Sequence, residues 1–342
     1  MPVALNEAEV RPEALFDEFL RLAKADIPRF FLEAPHQRIA CPACGGRATR
    51  AAFEKDAFAF EVCSDCATLF ANPRAEAAAF KRYYQEAPSI AFLSNQFYRQ
   101  TETARRAAII KPRAAMVLET LARCTTAKPE AASGGWVADI GAGYGVLCEE
   151  MRALAPQGWD VIAIEPSAEG LRICREKGLT VVPRFIEEMT RQDLPVASTR
   201  PGALVSFELL EHVQNPEQFL ASARALLQPG DLLIMTTLNG LGLDIQVLWE
   251  RSKSVQPPHH INFFNPRSIR LLLERSGFRV LEVTTPGQLD VSILEHSLGK
   301  LLRDRFWTTF LTQLGAEGRV EFQGFLQARG LSSHMRVVAQ SV

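Results

Sequence analysis

Four of the seven cysteines occur as two close pairs whose spacing is typical of a metal site. Cys41 and Cys44 form one C-x2-C pair, and Cys63 and Cys66 form a second pair after eighteen intervening residues. Tight turns at each pair let four thiolates converge on one ion, and this spacing lies in the range of tetrahedral zinc sites. Because four cysteine ligands leave no open coordination position, we predict a structural Zn²⁺.

Two other interpretations of these cysteines stay open, namely unrelated buried thiols and a redox pair. The segment between the pairs contains Phe53, Phe58 and Phe60, which predict a short hairpin with a small apolar face. A module of this size does not fold well without a metal or another cross-link, which favours zinc. The remaining cysteines are expected to be core residues: Cys124, Cys148 and Cys174.

A glycine-rich turn in the second half of the chain has the composition of a ligand-binding loop. The run Asp139-Ile140-Gly141-Ala142-Gly143-Tyr144-Gly145 follows a predicted strand and opens a predicted helix. Glycines at such a turn let the backbone approach a ligand at the carboxyl end of a sheet. A dinucleotide site needs a small residue where this chain has Val146. The pattern therefore favours a ligand that places no phosphate at this turn.

An acidic residue ends the next predicted strand. Glu165 lies twenty residues beyond Gly145, after the run Val161 to Ile164. A carboxylate at that strand end can accept hydrogen bonds from both hydroxyls of a ribose. A tight turn without a ligand is the alternative, and Glu165 makes that alternative much less favoured.

Three histidines are candidates for acid–base chemistry. His212 follows the fourth predicted strand, and His259 and His260 lie in a Pro-Pro-His-His segment before a predicted helix. An imidazole can act as a base near pH 7. The alternatives are that His212 supports the ligand loop and that the other two have a structural role beside the helix, which Asn265 already caps.

Short apolar runs and amphipathic segments alternate from residue 136 onward, which predicts an α/β fold with a parallel sheet. The predicted strands are 136–140, 159–164, 179–182, 203–207, 231–237 and 278–284, and the helices between them are 144–154, 167–176, 215–227 and 266–276. The N-terminal part predicts helices over 13–33 and 75–126, with a linker at 127–135. Helices over 289–330 and a strand at 335–339 complete the prediction.

The overall charge, the apolar runs and the cysteine count bear on the partners and the cellular location that we expect. The 38 Lys and Arg residues balance 39 Asp and Glu residues, which argues against a nucleic-acid partner. No apolar run approaches the ~18 residues of a membrane span, and no secretory signal is recognisable. Paired cysteines within an odd total favour a reducing compartment, so we expect a cytoplasmic location.

The glycine turn, the Glu165-Pro166 strand end and the run Phe207-Glu208-Leu209-Leu210-Glu211-His212-Val213 resemble the class I S-adenosylmethionine (SAM)-dependent methyltransferases. The resemblance covers about 136–284 and implies a Rossmann-like sheet. It implies that SAM is held by Asp139, Gly141, Ala142, Gly143, Gly145, Glu165 and Pro166. It further implies that Phe185, Ile186 and Glu187 flank the adenine, and that Phe207 and Glu208 lie near the methionine portion and the acceptor.

The sequence patterns and this resemblance together predict a domain organisation. We predict an N-terminal helix (1–37), a zinc ribbon (38–73), a helical linker or cap (74–130) and a SAM-binding methyltransferase domain (131–342). The family's sheet ends in an antiparallel hairpin, which 278–284 and 335–339 would form with a helical insertion at about 286–331. Such an insertion adds to a substrate pocket or to a homodimer interface.

The cysteine module resembles the N-terminal ribbon of methyltransferases that modify sugars on nucleotide carriers and of polysaccharide and natural-product enzymes. We therefore expect methyl transfer to a small or carrier-linked acceptor, preferably a sugar or a natural-product or glycan precursor. One alternative is an RNA or protein methyltransferase that docks through the ribbon, with a basic face around Arg47, Arg50, Lys81, Arg82, Arg105 and Arg106. A second alternative is a non-catalytic SAM-binding scaffold.

Overall fold

A computed structural model describes residues 6–125, 134–196, 200–301 and 304–342. Its helices are α1 (Glu7–Val10), α2 (Glu13–Phe30), α3 (Ala77–Glu86), α4 (Pro88–Phe92), α5 (Tyr98–Arg105), α6 (Lys111–Thr125), α7 (Val146–Leu154), α8 (Ala168–Glu176), α9 (Pro216–Leu226), α10 (Leu243–Leu248), α11 (Pro266–Arg275), α12 (Asp290–His296), α13 (Arg305–Gln313) and α14 (Gly315–Ala328). Its strands are β1 (His36–Gln37), β2 (Thr49–Lys55), β3 (Phe58–Cys63), β4 (Leu69–Ala71), β5 (Arg74–Ala75), β6 (Trp136–Ile140), β7 (Asp160–Ile164), β8 (Thr180–Val182), β9 (Gly202–Phe207), β10 (Leu232–Leu238), β11 (Asn262–Phe263), β12 (Phe278–Thr284) and β13 (His334–Ser341).

Seven strands form the main sheet in the order β12-β13-β10-β9-β6-β7-β8. The five strands from β10 to β8 are parallel, whereas β13 runs antiparallel to both β10 and β12. Every residue of β6 and β10 is buried, as expected for strands that helices cover on both faces. The predicted α/β fold, with its parallel sheet and terminal antiparallel hairpin, is confirmed.

The cysteine segment forms a second sheet that includes a strand from the other half of the chain. The β2–β3 hairpin and β4 are extended by β11, which pairs Asn262 with Phe70 and Phe263 with Leu69. The predicted hairpin is present, but β11 has no sequence prediction because two residues are too short for an alternating pattern. The ribbon is thereby joined to the segment that contains His259 and His260.

Residues 88–125, between the ribbon and the main sheet, are helical without a break and are called the helical rod below. Two π-helical turns, Leu93–Phe97 and Arg106–Ile110, connect α4, α5 and α6. Such turns widen a helix locally and redirect its side chains. The predicted linker and domain boundary near residue 130 lie outside the described residues except for Gly134 and Gly135.

The helices α12, α13 and α14 occupy the interval between β12 and β13. They pack on α10 through a separate apolar cluster that includes Leu248, Leu294, Leu311 and Leu326. The insertion predicted at about 286–331 covers this interval, and its role stays a prediction. Across the described part of the chain, no helix combines the length and the apolar character needed to cross a membrane.

Candidate functional site

The glycine turn bends around an open space at the carboxyl end of β6. Gly141, Gly143 and Gly145 all have left-handed backbones, with φ of 74°, 55° and 68°. A Cβ added to Gly143 would meet nothing within 4 Å, whereas one on Gly145 would lie 2.4 Å from Leu179. Gly145 is therefore required by packing and conformation, and Gly143 presents bare backbone to the space. Ala142, between Gly141 and Gly143, is half-buried.

Glu165 holds this turn to the adjacent strand. One carboxylate oxygen accepts a hydrogen bond from the Gly143 N–H at 2.7 Å, and the other accepts from the Ser167 N–H at 2.8 Å. The Glu165 residue is 6% exposed. Each oxygen retains a second acceptor position, so Glu165 can shape the turn and still accept from a ligand. Pro166, the next residue, is exposed.

Asp139 supplies a second buried carboxylate at the same edge. It is 5% exposed, and its Oδ2 lies 3.9 Å from the Cys148 thiol. Burial, with the nearby Glu165 carboxylate, raises the pKa of Asp139 to about 8. A positively charged ligand beside these two acids would offset their desolvation and mutual repulsion. Buried acids next to bare glycine backbone thus fit a cationic ligand that carries hydroxyl groups.

The residues predicted to flank the adenine occupy different environments. Phe185 is 40% exposed, and the Lys81 ammonium of α3 lies 5.6 Å from its ring centroid. Ile186 is buried in the main core, so its backbone alone can face a ligand. Glu187 lies on the surface, and partial desolvation raises its pKa.

Glu208 lies at the centre of a network that the sequence did not predict. Its carboxylate accepts hydrogen bonds from Arg113 at 2.8 Å, Thr236 at 2.5 Å and His334 at 3.0 Å. Its backbone is left-handed, with φ of 52°, an uncommon conformation for a residue other than glycine. Burial raises the pKa of Glu208, but His334 and Arg113 outweigh this effect and hold it well below its ordinary value.

The partners of Glu208 come from three distant parts of the chain, so no local pattern predicts them. Arg113 belongs to α6 and also lies over the ring of Phe207, 5.2 Å from its centroid. His334 begins β13, whose pairing brings it beside Leu238 of β10. Their convergence follows from strand order rather than from sequence spacing.

The helical rod covers this edge of the sheet. Tyr144 in the glycine turn donates a hydrogen bond to Asn95 at 3.2 Å, and Arg99 lies 5.8 Å from the Tyr144 ring centroid. Together with Lys81 over Phe185 and Arg113 at Glu208, these contacts span the edge from one side to the other. The segment predicted as a linker or cap therefore lies directly over the candidate site.

His212, His259 and His260 form one cluster beyond β9. The ring centroids of His212 and His259 are 4.2 Å apart, and those of His212 and His260 are 4.8 Å apart. His212 Nδ1 lies 2.7 Å from the His259 carbonyl oxygen, and His260 Nδ1 lies 2.7 Å from that of Ser254. The structure thus brings His212 together with the His259-His260 pair, which lies 47 residues further along the chain.

These histidines are buried, which disfavours their charged form. Burial lowers the pKa of His212, lowers that of His259 well below its usual range, and lowers that of His260 to about 3. The ring centroids of Phe19 of α2 and Tyr84 of α3 lie 5.4 Å and 5.9 Å from the ring centroid of His259. The N-terminal helices therefore enclose the cluster.

The four paired cysteines converge as their spacing predicts. Cys41 Sγ lies 3.5 Å from Cys66 Sγ, and Cys44 Sγ lies 3.5 Å from Cys63 Sγ. All four sulfurs lie within 4.8 Å of one another. Zn–S bonds of about 2.3 Å place sulfurs about 3.8 Å apart in a tetrahedral site, so this arrangement fits a Zn²⁺ ion. The cysteines outside the cluster are free thiols, two of them buried: Cys124, Cys148 and Cys174.

The cysteine cluster is fastened to the main domain by polar contacts as well as by β11. The Asn265 side chain donates to the Cys66 carbonyl at 2.9 Å, and Arg275 donates to the Ala43 carbonyl at 3.0 Å. Both donors belong to α11 or its N-cap. The ribbon and the segment that follows His260 are thus parts of one packed unit.

Comparisons with solved structures find remote likeness. The plantazolicin methyltransferase BpumL in complex with SAH has 14% sequence identity and a TM-score of 0.47, with 77% of this chain and 94% of that chain covered. The geranyl diphosphate methyltransferase in complex with SAM has 15% identity and a TM-score of 0.43, with 75% and 92% covered.

Sequence comparisons give closer relatives and a family. The ubiquinone biosynthesis O-methyltransferase of Cereibacter sphaeroides is 35% identical over 105 residues, which are 30% of this chain and 40% of that protein. The enzyme of the same name from Methylococcus capsulatus is 35% identical over 114 residues, or 31% and 45%. The chain spans less than half the length of these relatives. The methyltransferase domain profile matches residues 110–283, about half of the chain, and this chain belongs to that methyltransferase family.

Proposed function

We propose that this protein transfers the methyl group of SAM to a small or carrier-linked acceptor. The observation that carries the proposal is the pair of buried carboxylates, Asp139 and Glu165, around the bare backbone of Gly143. The site lies at the carboxyl edge of a parallel sheet, where ligands of open α/β folds bind. The family assignment supports the same activity.

The residues of the glycine turn have complementary roles in this proposal. Asp139 and the backbone of Gly141, Ala142, Gly143 and Gly145 hold the methionine portion of SAM. Glu165, followed by Pro166, accepts hydrogen bonds from the ribose hydroxyls. The bound SAM supplies a methyl group that is already electrophilic because it is attached to a sulfonium.

The remaining SAM contacts come from neighbouring loops. Phe185 and the backbone of Ile186 and Glu187 flank the adenine. Phe207 and Glu208 lie between the methionine portion and the acceptor. The lowered pKa of Glu208 keeps its carboxylate ionised, and hydrogen bonds to Arg113 and other partners hold that carboxylate in place. We therefore assign Glu208 a positioning role.

The chain's further tasks are to align the acceptor, exclude water and accept a proton from the acceptor. His212, His259 and His260 are the proposed acceptor-side group, with a neutral imidazole as the proton acceptor. Burial lowers the pKa of all three and weakens them as bases, but leaves them neutral at pH 7. The acceptor must therefore be acidic or be activated by another group.

The acceptor we propose is an oxygen of a sugar or of a related natural-product or glycan precursor. The relatives are O-methyltransferases by name, which supports an oxygen atom as the acceptor. The sugar assignment rests on the likeness of the cysteine ribbon alone. A zinc ion held by Cys41, Cys44, Cys63 and Cys66 would have a structural role and would keep β4 in register with β11.

The alternative of RNA or protein docking is less well supported by the surface charge. Arg106 pairs with Glu102, Glu149 and Glu150, so its charge is compensated within the fold. The ribbon also contributes an edge of its sheet to pairing with β11 rather than presenting it to a partner. A scaffold without catalysis would bind SAM and show no turnover.

The experiment that tests the proposal is transfer of labelled methyl from SAM into a fractionated cell extract. Label in the acid-soluble pool supports a small acceptor, whereas label in RNA or protein contradicts it. The Glu165→Gln variant serves as the control for a reaction that depends on the proposed site. Binding of SAM without label in any fraction would favour the scaffold alternative.

A further inference from the structure

The cluster formed by His212, His259 and His260 has the composition of a metal site that is separate from the four cysteines. With one ring nitrogen taken from each histidine, the three nitrogens all lie within 4.8 Å of one another. We propose that these three histidines bind one divalent transition-metal ion of the kind that prefers imidazole, such as Zn²⁺. The ion would be the second metal of the chain.

The hydrogen bonds of two of the histidines leave one ring nitrogen unprotonated, as a metal ligand must be. A carbonyl oxygen only accepts hydrogen bonds, so His212 Nδ1 carries the proton that it donates to the His259 carbonyl at 2.7 Å. His260 Nδ1 likewise donates to the Ser254 carbonyl at 2.7 Å. Both residues therefore have an unprotonated Nε2. A backbone carbonyl that fixes the second ring nitrogen is the usual support for a histidine that ligates a metal.

The third histidine provides an independent observation. His259 is 9% exposed, and its Nδ1 is buried without a hydrogen-bond partner among the described residues. Buried polar nitrogens are nearly always satisfied, and each exception requires an explanation. A metal ion between the rings would use such a nitrogen.

The spacing requires a small contraction on binding. Zn–N bonds of about 2.0–2.1 Å place the nitrogens of a tetrahedral site about 3.3 Å apart. Side-chain rotations would have to bring the three nitrogens from separations of up to 4.8 Å to this distance. The Gln256 amide nitrogen lies 3.2 Å from His260 Nε2 and must swing away when the ion binds. Gln256 is therefore a competitor for the ligand position rather than a ligand.

The number of ligands indicates what such an ion would do. Three protein ligands leave one coordination position for water or for an oxygen of the acceptor, as in catalytic rather than structural zinc sites. The bound ion would lower the pKa of a hydroxyl in that position, which would lose its proton to water, and the ligated imidazoles would hold the ion instead of accepting that proton. This last step rests on the proposed methyl transfer, whereas metal binding does not.

Metal content and coordination test the proposal in the full-length protein. The chelator-treated chain is titrated with Zn²⁺, and we expect about two ions per chain. X-ray absorption of the second equivalent should show nitrogen or oxygen neighbours at about 2.0–2.1 Å, in contrast to sulfur at about 2.3 Å. One ion per chain with sulfur neighbours alone would overturn the proposal without bearing on methyl transfer.

Variants separate the two metal sites. His212→Ala should weaken binding of the second ion by more than about 100-fold, since changes outside the ligand shell already cost about 10- to 100-fold. The matched control is His296→Ala, at a histidine whose side chain is 65% exposed and outside the cluster. Gln256→Ala should retain or strengthen binding. Equal affinity for the second ion in His212→Ala and His296→Ala would refute the assignment, and retention of the first ion confirms that each variant is folded.

Discussion

The pKa of Asp139 predicts that SAM binding depends on pH. The ligand-free carboxyl titrates at about 8 because it is buried and close to Glu165. A cationic ligand favours the ionised form, so binding below pH 8 must release a proton. The ionised fraction rises from about 3% at pH 6.5 to about 76% at pH 8.5, so the association constant should increase about 25-fold.

The Asp139→Asn variant isolates this effect from titration of the ligand itself. Calorimetry measures the association constants of both proteins for SAM between pH 6.5 and 8.5, and the ratio of wild type to variant cancels changes in the ligand. We expect this ratio to rise about 25-fold across the range, with proton release on binding to the wild type at pH 7. A ratio that does not change with pH would refute the assignment of Asp139 to the cationic part of SAM.

Four further predictions concern the cofactor, the ribbon, the Glu208 network and the insertion. Glu165→Gln should weaken SAM binding by about 1–3 kcal/mol in calorimetry, because a buried acceptor is replaced in part by a donor; unchanged affinity would exclude the ribose role. Cys41→Ser should release zinc and lower the denaturation midpoint, and elemental analysis that finds undiminished zinc would contradict the ribbon. Burial lowers the pKa of His334, but Glu208 reverses this effect and raises it above its ordinary value. The stability from that pair is complete below about pH 6.5 and is lost as pH rises through the raised pKa. His334→Gln should therefore lower the free energy of unfolding more at pH 6 than at pH 9. The difference should be less than about 1 kcal/mol, because the His334 side chain is 41% exposed. Urea unfolding that shows the same loss of stability at both pH values would contradict this. Val320 on α14 is 74% exposed. If the insertion forms a homodimer interface, Val320→Glu should halve the mass measured by light scattering. A wild-type protein that is already monomeric would exclude that interface.

The sequence predicted the elements whose apolar runs are long and strongly patterned. The strands β6 and β12 have the predicted bounds, and α9 lies within the predicted helix. The convergence of the four cysteines was equally predictable because they occur in local pairs at turns. Local patterns of this kind indicate where an element or a cluster lies without knowledge of the tertiary fold.

Contacts between distant segments could not be predicted from the sequence. Nothing near Glu208 indicates that Arg113 and His334 become its partners, because strand order alone brings them together. Likewise, His212 and the His259-His260 pair were recognised individually as candidate bases, whereas their proximity suggests a shared ligand. The positive φ of Glu208 is also a property of the fold rather than of a motif.

The pairing of β4 with β11 has a consequence for how the chain is synthesised. Phe70 leaves the ribosome long before its partner Asn262, so the edge of β4 that pairs with β11 is unpaired until residue 262 has been synthesised. Exposed edges of this kind readily pair with strands of other chains. Expression of an N-terminal fragment that ends before β11 should therefore favour association between copies, and full-length yields should depend on how quickly translation reaches residue 262.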